Sequence, residues 1–271
     1  MAKKVVVELG GRLGNVLFKT AAGLYYHGCF SDDEIYYHYS SLYWAKYYQS
    51  YNRFHLFKCW DKGIEGLTRL TDGEGYSYHQ LPDCDSDVLL DGGFETELYF
   101  PDKNLIDSAF RCPESIKSEI LKEFPDIEEC VGISIRRGDY LMHKHLFYVP
   151  KITWFTDTYH KYFEGRKAII FSDDIDWCIK NMEPNENFRF YKPAHAQDIY
   201  MIQDPCRNIY TMALCHDHIC ADSTWSWWGA RLCEQSDSVN IFQDKRFKPS
   251  ANLDESDYIP ARWIKEPAEY E

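Results

Sequence analysis

The chain has 271 residues, 45 % of them hydrophobic and 17 % aromatic, with a formal charge of −13. That length fills one large core or two modest ones, and that hydrophobic share excludes a disordered tail. The acidic balance opposes nucleic-acid binding, which needs a basic face, but a few converging Arg residues can still hold a phosphate-bearing small molecule. Val5 to Leu9 is an apolar run closed by Gly10-Gly11, which predicts a buried strand and a tight turn. Residues 15–27 then place Val16, Leu17, Ala21, Ala22, Leu24 and Tyr25 at roughly helical spacing. Residues 34–60 are crowded with Tyr, Trp and His and show no clean period; residues 61–87, rich in Gly, Asp and polar side chains, read as loops. Val88 to Leu90 is a short strand. Pro113 to Phe124 reads as a helix, with Pro early and Ile116, Ile120 and Leu121 on one face. Val131 to Ile135 and Ala168 to Phe171 are strands, the second followed by Ser172-Asp173-Asp174 and a helical stretch to Met182. A helix from about Ile199 to Cys215, a strand from His218 to Ala221, a helical stretch from Ser223 and a strand from Val239 to Phe242 complete the pattern. The tail from Asp254 is expected to pack as a strap or to fray.

Strands alternating with helices predict an α/β fold with mostly parallel sheets. Two such sets predict two Rossmann-like domains facing a cleft, residues 1–130 and residues 131–271. The ten cysteines (Cys29, Cys59, Cys84, Cys112, Cys130, Cys178, Cys206, Cys215, Cys220 and Cys233) form no CxxC pair. Residues 1–10 have two Lys and then three Val, too short for the apolar core of a secretory signal. Reduced, structural thiols in a cytoplasmic protein are therefore expected, with Cys215 and Cys220 as metal ligands the alternative. No apolar run reaches the ~20 residues of a membrane span, so a soluble chain without a transmembrane segment is expected.

Four segments carry chemistry. Gly10-Gly11-Arg12-Leu13-Gly14-Asn15 links a strand to a helix, where glycines admit a ligand close to the backbone and the helix start favours an anion. Its GGxxG spacing departs from the GxGxxG of dinucleotide folds, and a plain tight turn is the alternative. In Ser134-Ile135-Arg136-Arg137-Gly138-Asp139-Tyr140, adjacent cations stand at a strand end, where parallel sheets place ligands. Alternation sends neighbouring side chains to opposite faces, so one Arg can fork onto a diphosphate while the other is held by an internal carboxylate. A surface Arg pair is the alternative. Asp173 and Asp174, after a strand, can accept hydrogen bonds from a base or ribose, or cap the next helix. Asp222-Ser223-Thr224-Trp225-Ser226-Trp227-Trp228-Gly229 opens a helix with hydroxyls, an anion site or else an N-cap with a Trp-rich core contact. The aromatic abundance suits either sugar stacking or packing.

Together these segments resemble the alpha-1,2-fucosyltransferase family. Its GGLGNQ-F-AAG opening is matched by Gly11 to Phe18 and Ala21-Ala22-Gly23, and its middle segment by Leu90 to Phe100. Its H-x-R-R-G-D-Y motif is matched by Ser134 to Tyr140, its F-S-D-D-I-x-W-C by Phe171 to Cys178, and its N-S-T-F-S-W-W-G-A by Asp222 to Ala230. The matches come in order and cover most of the chain. The chain departs at Ser134 (His in the family), Asp222 (Asn), Val16 (Gln) and Arg12, inserted in the glycine turn. The resemblance implies a GT-B architecture, GDP-fucose as donor substrate, a glycan acceptor, inversion at the anomeric carbon, and neither cofactor nor obligatory metal. It implies that an Arg of the R-R-G-D motif binds the donor diphosphate, with Arg137 favoured as ligand and Arg136 as structural partner. Ser223, Thr224, Trp225 and Ser226 would help hold that diphosphate, and Asp173 or Asp174 the nucleoside. Gly11, Gly14, Asn15 and Ser134 complete the expected donor-binding set. The general base stays open between Asp139, Glu95 and His143 or His145. A relative using another nucleotide sugar, such as GDP-mannose or a UDP-sugar, and a non-catalytic glycan-binding module are the rival readings.

Overall fold

The computed structural model describes residues 3–30, 34–39, 58–72, 77–192, 205–233 and 235–271. They divide into two compact units, Met1–Arg111 with Leu253–Pro260, and Cys112–Asn252 with Ala261–Glu271. Each unit is built on one wholly parallel sheet.

In the first unit the strands β1 (Lys4–Leu9), β2 (Glu34–Tyr39), β3 (Lys58–Cys59), β4 (Thr68–Leu70) and β5 (Val88–Leu90) lie in the order β3-β2-β1-β5-β4. Val5, Val6 and Val7 are all buried, as a central parallel strand covered on both faces requires, and β-branching suits the pleat. Helix α1 (Leu13–Phe30) buries Leu13, Val16, Leu17 and Ala21. Phe18 sits 5.9 Å from the Phe100 ring and 6.3 Å from that of Tyr258, on the returning segment. A short helix α2 (Lys103–Ala109), capped by Asp102, completes the described part of this unit's helices.

The second unit runs α3 (Glu114–Glu123), β6 (Val131–Ile135), α4 (Gly138–Met142), α5 (Ile152–Phe163), β7 (Ala168–Ser172), α6 (Ile175–Asn181), β8 (Phe188–Phe190), α7 (Pro205–Ala213), β9 (Asp217–Cys220), α8 (Thr224–Arg231), β10 (Asn240–Gln243) and β11 (Ile264–Glu266). Its sheet order, β11-β10-β9-β6-β7-β8, is the 3-2-1-4-5-6 order of the Rossmann fold counted from β6. Ile133, Ile170, Ile219 and Ile241 from four central strands pack with Trp154, Phe155 and Tyr159 of α5 in one core.

The predicted strands at 5–9, 88–90, 131–135, 168–171, 218–221 and 239–242 are present within one residue of their predicted limits. The predicted helix at 199–215 appears from Pro205 to Ala213; its residues 199–204 lie outside the described residues, as do 40–57 of the unassigned aromatic stretch. The tail forms part of the structure: Tyr258 is fully buried, Trp263 stacks on Phe242 at 4.9 Å, and β11 pairs with β10. Several elements depart from the reading: β2, β3, α2, α4 and β11 had no assignment, and three more show why. β4 lies inside the stretch read as loop, because an edge strand with only Leu70 buried carries no apolar run. β8 and α5 had no assignment, since Phe188-Arg189-Phe190 is brief and α5 mixes Thr, Tyr and charged residues into its buried face.

Candidate active site

The order of the second sheet reverses between β6 and β9, and open parallel sheets bind ligands outside the strand ends at such a switch point. The chain delivers two of the singled-out segments there. Ser134, near the end of β6, is buried, and its Oγ lies 2.7 Å from Ser226 Oγ. Ser226 Oγ is in turn 2.7 Å from Ser223 Oγ. Ser223 caps α8 by accepting the Ser226 N–H at 3.1 Å, so the N-cap reading of this segment holds. Trp227 and Trp228 are fully buried, which also fits a Trp-rich core contact. Thr224 is buried, and the half-buried Trp225 lies 6.0 Å from the Phe171 ring. The result is a buried line of three hydroxyls across β6 and the start of α8.

Arg136 and Arg137 lie just past the last residue of β6. Arg136 pairs with Asp139 and, at 2.7 Å, with Asp173, and its guanidinium lies 5.3 Å over the Tyr140 ring. Arg137 pairs with Glu271 and lies 3.2 Å over the Trp177 ring. Its Nε is buried without a hydrogen-bond partner, 3.9 Å from Asp174 Oδ2. The alternation argument assigned a carboxylate to one Arg; both have one. Asp173 also accepts the Arg137 backbone N–H at 2.9 Å. A Cβ on Gly138 would stand 2.3 Å from Asp173 Oδ2, so any larger residue there would displace the carboxylate that pairs with Arg136. Asp174, at the N-cap of α6, makes no side-chain cap bond; its N–H goes to Ser172 Oγ at 3.0 Å, leaving a carboxylate with 42 % of its side chain exposed. His143 and His145 are exposed, their rings 6.0 Å apart.

Three partners at this site were given no role by the sequence, although Trp177 stands within the Phe171 to Cys178 match. Glu271 and Trp177 define the pocket of the Arg137 side chain. Arg246, just past β10, is buried with Nε 3.6 Å from the buried Asp222. Its signal was a cation after a predicted strand, the pattern that marked Arg136.

Gly11, Gly14, Asn15 and Glu95 belong to the first unit. Its strand order reverses between β1 and β5, the strands that lead into these residues. Gly11 has φ +85°, and a Cβ there would meet Asn15 at 2.9 Å. Gly14 is buried in the first turn of α1. Asn15 Nδ2 donates to Glu95 Oε1 at 2.8 Å, and Glu95 is 2 % exposed. Asp72 accepts the backbone N–H groups of Gly93 and Phe94 at 2.8 and 2.7 Å. This clamp holds Phe94 in the left-handed region, φ +53°, and so directs Glu95 toward Asn15. Burial pulls the Lys19 ammonium below its ordinary range, against Asp91, Glu8, Asp72 and Glu95, which hold it up. Glu8 and His38, absent from the expected set, form a pair whose Nδ1 to Oε2 separation is 2.5 Å.

Among the described residues no cluster of three or more His, Cys, Asp or Glu has a metal-binding arrangement, and no helix is long and apolar enough to cross a membrane. Cys215 and Cys220 are buried, and their thiols contact the backbone carbonyls of Thr211 and Ser226.

The fold is GT-B-like, as two parallel α/β units of this topology define. It aligns with the NodZ alpha-1,6-fucosyltransferase co-crystallised with GDP at TM-score 0.57 and 11 % identity, covering 89 % of this chain and 95 % of that one; that enzyme has also been solved from Bradyrhizobium. Residues 95–266 match the profile of glycosyl transferase family 11, and the chain belongs to that family. It is 28 % identical over 159 residues to an Escherichia coli alpha-1,2-colitosyltransferase, covering 53 % of this chain and 51 % of that protein. It is 28 % identical over 196 residues to the E. coli O-antigen biosynthesis glycosyltransferase WbnK, covering 64 % and 58 %. The chain thus spans between half and three fifths of the curated relatives it matches.

Proposed function

We propose that this chain transfers L-fucose from GDP-fucose to a glycan hydroxyl in alpha-1,2 linkage, with inversion and without a metal. The observation that carries the reading is Arg137: a buried guanidinium at the switch-point end of β6 with an unused Nε donor, three residues past Ser134, whose hydroxyl begins a buried line of three with Ser226 and Ser223. A leaving diphosphate gathers negative charge as its bond to the anomeric carbon breaks, and fixed donors aimed at that charge favour the transition state over the ground state. Arg137 supplies the fork, and the start of α8 with Ser223, Thr224, Trp225 and Ser226 supplies the dipole and polar groups. Arg136, tied to Asp139 and Asp173, holds the loop in shape. With Asp173 engaged by both arginines, recognition of the nucleoside falls to the more exposed Asp174.

A second donor has one specific observation in its favour: a relative bears the name alpha-1,2-colitosyltransferase. Colitose is fucose without the 3-hydroxyl, so the two donors differ by one polar group. A site with a partner for that hydroxyl rejects the deoxy sugar strongly, and an apolar one tolerates both. The test begins with melting temperatures in GDP and in UDP. GDP should stabilise the chain more than UDP does, the gain over the unliganded chain reaching about 2.7 kcal/mol at 100 times the Kd of GDP. Transfer is then assayed with GDP-fucose, the colitose donor, GDP-mannose and UDP-sugars, each with and without EDTA. Turnover with GDP-fucose that survives EDTA is expected. A preference for UDP, or loss in EDTA reversed by Mn²⁺, overturns the reading, and a higher kcat/KM with the colitose donor moves the assignment to that sugar.

A further inference from the structure

The Arg137 side chain is enclosed within the second unit. It is 7 % exposed, and the Trp177 ring covers one flat face of its guanidinium at 3.2 Å. Its Nη1 is paired with Glu271, while Nε faces Asp174 Oδ2 at 3.9 Å, beyond hydrogen-bond range. Among the described residues, Glu271 is thus the hydrogen-bond partner of this guanidinium. The planar fork of Arg matches the oxygens of a phosphate as it matches those of a carboxylate, so Glu271 stands where Arg137 would hold a diphosphate. Glu271 reaches that place on a strap anchored along its length. β11 pairs with β10, the Ala268 N–H donates to Asp244 Oδ1 at 3.2 Å, and the Tyr270 hydroxyl donates to the same oxygen at 2.5 Å. The Lys151 N–H donates to the Glu269 carbonyl at 2.8 Å, and the Glu271 N–H to the Val149 carbonyl at 2.9 Å. The backbone at Glu271 is therefore set, while its side chain is a quarter exposed. Rotation about the side-chain bonds carries the carboxylate off Nη1 and leaves every bond of the strap in place.

We infer that Glu271 is an internal competitor for the donor diphosphate: it holds Arg137 until a diphosphate displaces it, and so sets how tightly the donor binds and how readily the nucleoside diphosphate product leaves. This rests on the reading of Arg137 as the diphosphate ligand given above. Two anions cannot both take the same fork, and a carboxylate left beside a diphosphate is repelled by it. The apparent affinity of a site equals its intrinsic affinity reduced by the fraction of molecules in which the site is open. A hydrogen bond between charged groups is strong enough to hold that fraction near one in ten, roughly. Glu271 acts through Arg137 and is not itself a catalytic residue. The competition concerns phosphate alone: a nucleoside without phosphate has no use for the fork, so its binding is independent of Glu271. A carboxylate whose task was instead to orient Arg137 for the ligand would have the opposite effect, since its loss would weaken diphosphate binding.

The test uses the full chain and Glu271→Gln, isosteric with the carboxylate but uncharged, with calorimetric binding of inorganic pyrophosphate, GDP and guanosine. Glu271→Gln should bind pyrophosphate and GDP about tenfold more tightly than the parent, with guanosine unchanged. The KM for the sugar donor should fall, and inhibition by the GDP product should deepen, by a similar factor. In an Arg137→Ala background the same substitution should lose most of this gain, because the contested fork is gone. Unchanged or weaker binding of pyrophosphate and GDP by a folded Glu271→Gln overturns the inference. So does an equal gain for guanosine, or a gain kept in full without Arg137. If Glu271→Gln does not fold, Glu271→Asp takes its place, being one methylene short of Nη1 on the same backbone. A smaller gain of the same sign is then expected, and parental affinities overturn the inference. A parental chain that binds neither pyrophosphate nor any nucleoside diphosphate overturns the transferase reading and this inference together. A parent that binds GDP and a folded Gln variant that binds it no better overturn this inference alone.

Discussion

At the scale of the residue, the two adjacent arginines show how neighbours of one type acquire different work. Arg136 answers two carboxylates, Asp139 and Asp173, and removing it leaves both without their counter-charge in a half-buried loop. Arg136→Ala should therefore lower the melting temperature. Arg137 answers Glu271, rests on Trp177 and keeps an unpaired Nε. Arg137→Ala should fold, with turnover down on the order of 10²–10³-fold, the cost of deleting an oxyanion donor. Arg137→Lys should recover only part of that, since an ammonium lacks the planar fork. Melting curves and kcat for the three variants check this, and folded alanine variants with near-parental kcat would remove the pair from the site.

At the scale of the element, β9 illustrates a buried polar group serving packing rather than chemistry. His218 on this strand is fully buried, its ring nitrogens 2.8 Å from the Asn240 side-chain amide and 3.0 Å from the Met212 carbonyl. Burial pushes its pKa below the ordinary value, against the raising effect of those two hydrogen bonds. The sign follows from linkage: below about pH 6.5 the unfolded chain takes up a proton that the folded chain refuses, so this contribution to stability is lost as pH falls from there toward the depressed native value. The slope for one proton is about 1.4 kcal/mol per pH unit. Urea midpoints measured from pH 7 down to pH 5.5 should fall more steeply for the parent than for His218→Gln. Parallel profiles would show that the ring does not stay neutral in the fold. The window stays above the titration of Asp217, whose carboxylate is desolvated by burial but held below its usual range by the Val239 N–H, Arg166 and His216.

At the scale of the whole molecule, the thiols report on how the chain is held together. All nine cysteines with described side chains are free, and only Cys59 is exposed. Burial pushes Cys178 up to about 11 and raises Cys215 and Cys220 well above the ordinary thiol range. The native chain should react quickly with a thiol reagent at Cys59, and at least nine thiols should titrate after unfolding without reductant. Fewer than nine would point to disulfides in the isolated protein. Neither unit is held by cross-links on this account; apolar burial beneath two parallel sheets, including the Tyr258 and Trp263 anchors of the returning tail, does that work.

The sequence by itself determined the α/β class and the central strands, and it singled out the segments to which the proposed function assigns the donor. Central parallel strands are buried on both faces, so Val5 to Leu9 and Val131 to Ile135 must be apolar runs, and an apolar run is visible without a structure. Ser134, Arg136, Arg137, Asp173 and Ser223 were legible for a related reason: each stands at or just past the end of such a run, where a polar residue is conspicuous. Only the tertiary structure decided which of these groups meet. Sheet order puts β9 beside β6, and that brings Ser134 and Ser226, ninety-two residues apart, within hydrogen-bond distance. The structure also gave Arg137 its partner in Glu271, 134 residues away, and Glu8 its partner in His38. Glu8 looks in the sequence like a polar interruption of a strand, and His38 lies in a Tyr-rich stretch with no period. Periodicity records which face a residue occupies along its own element; partners across elements are set by strand order and register, which no local pattern encodes.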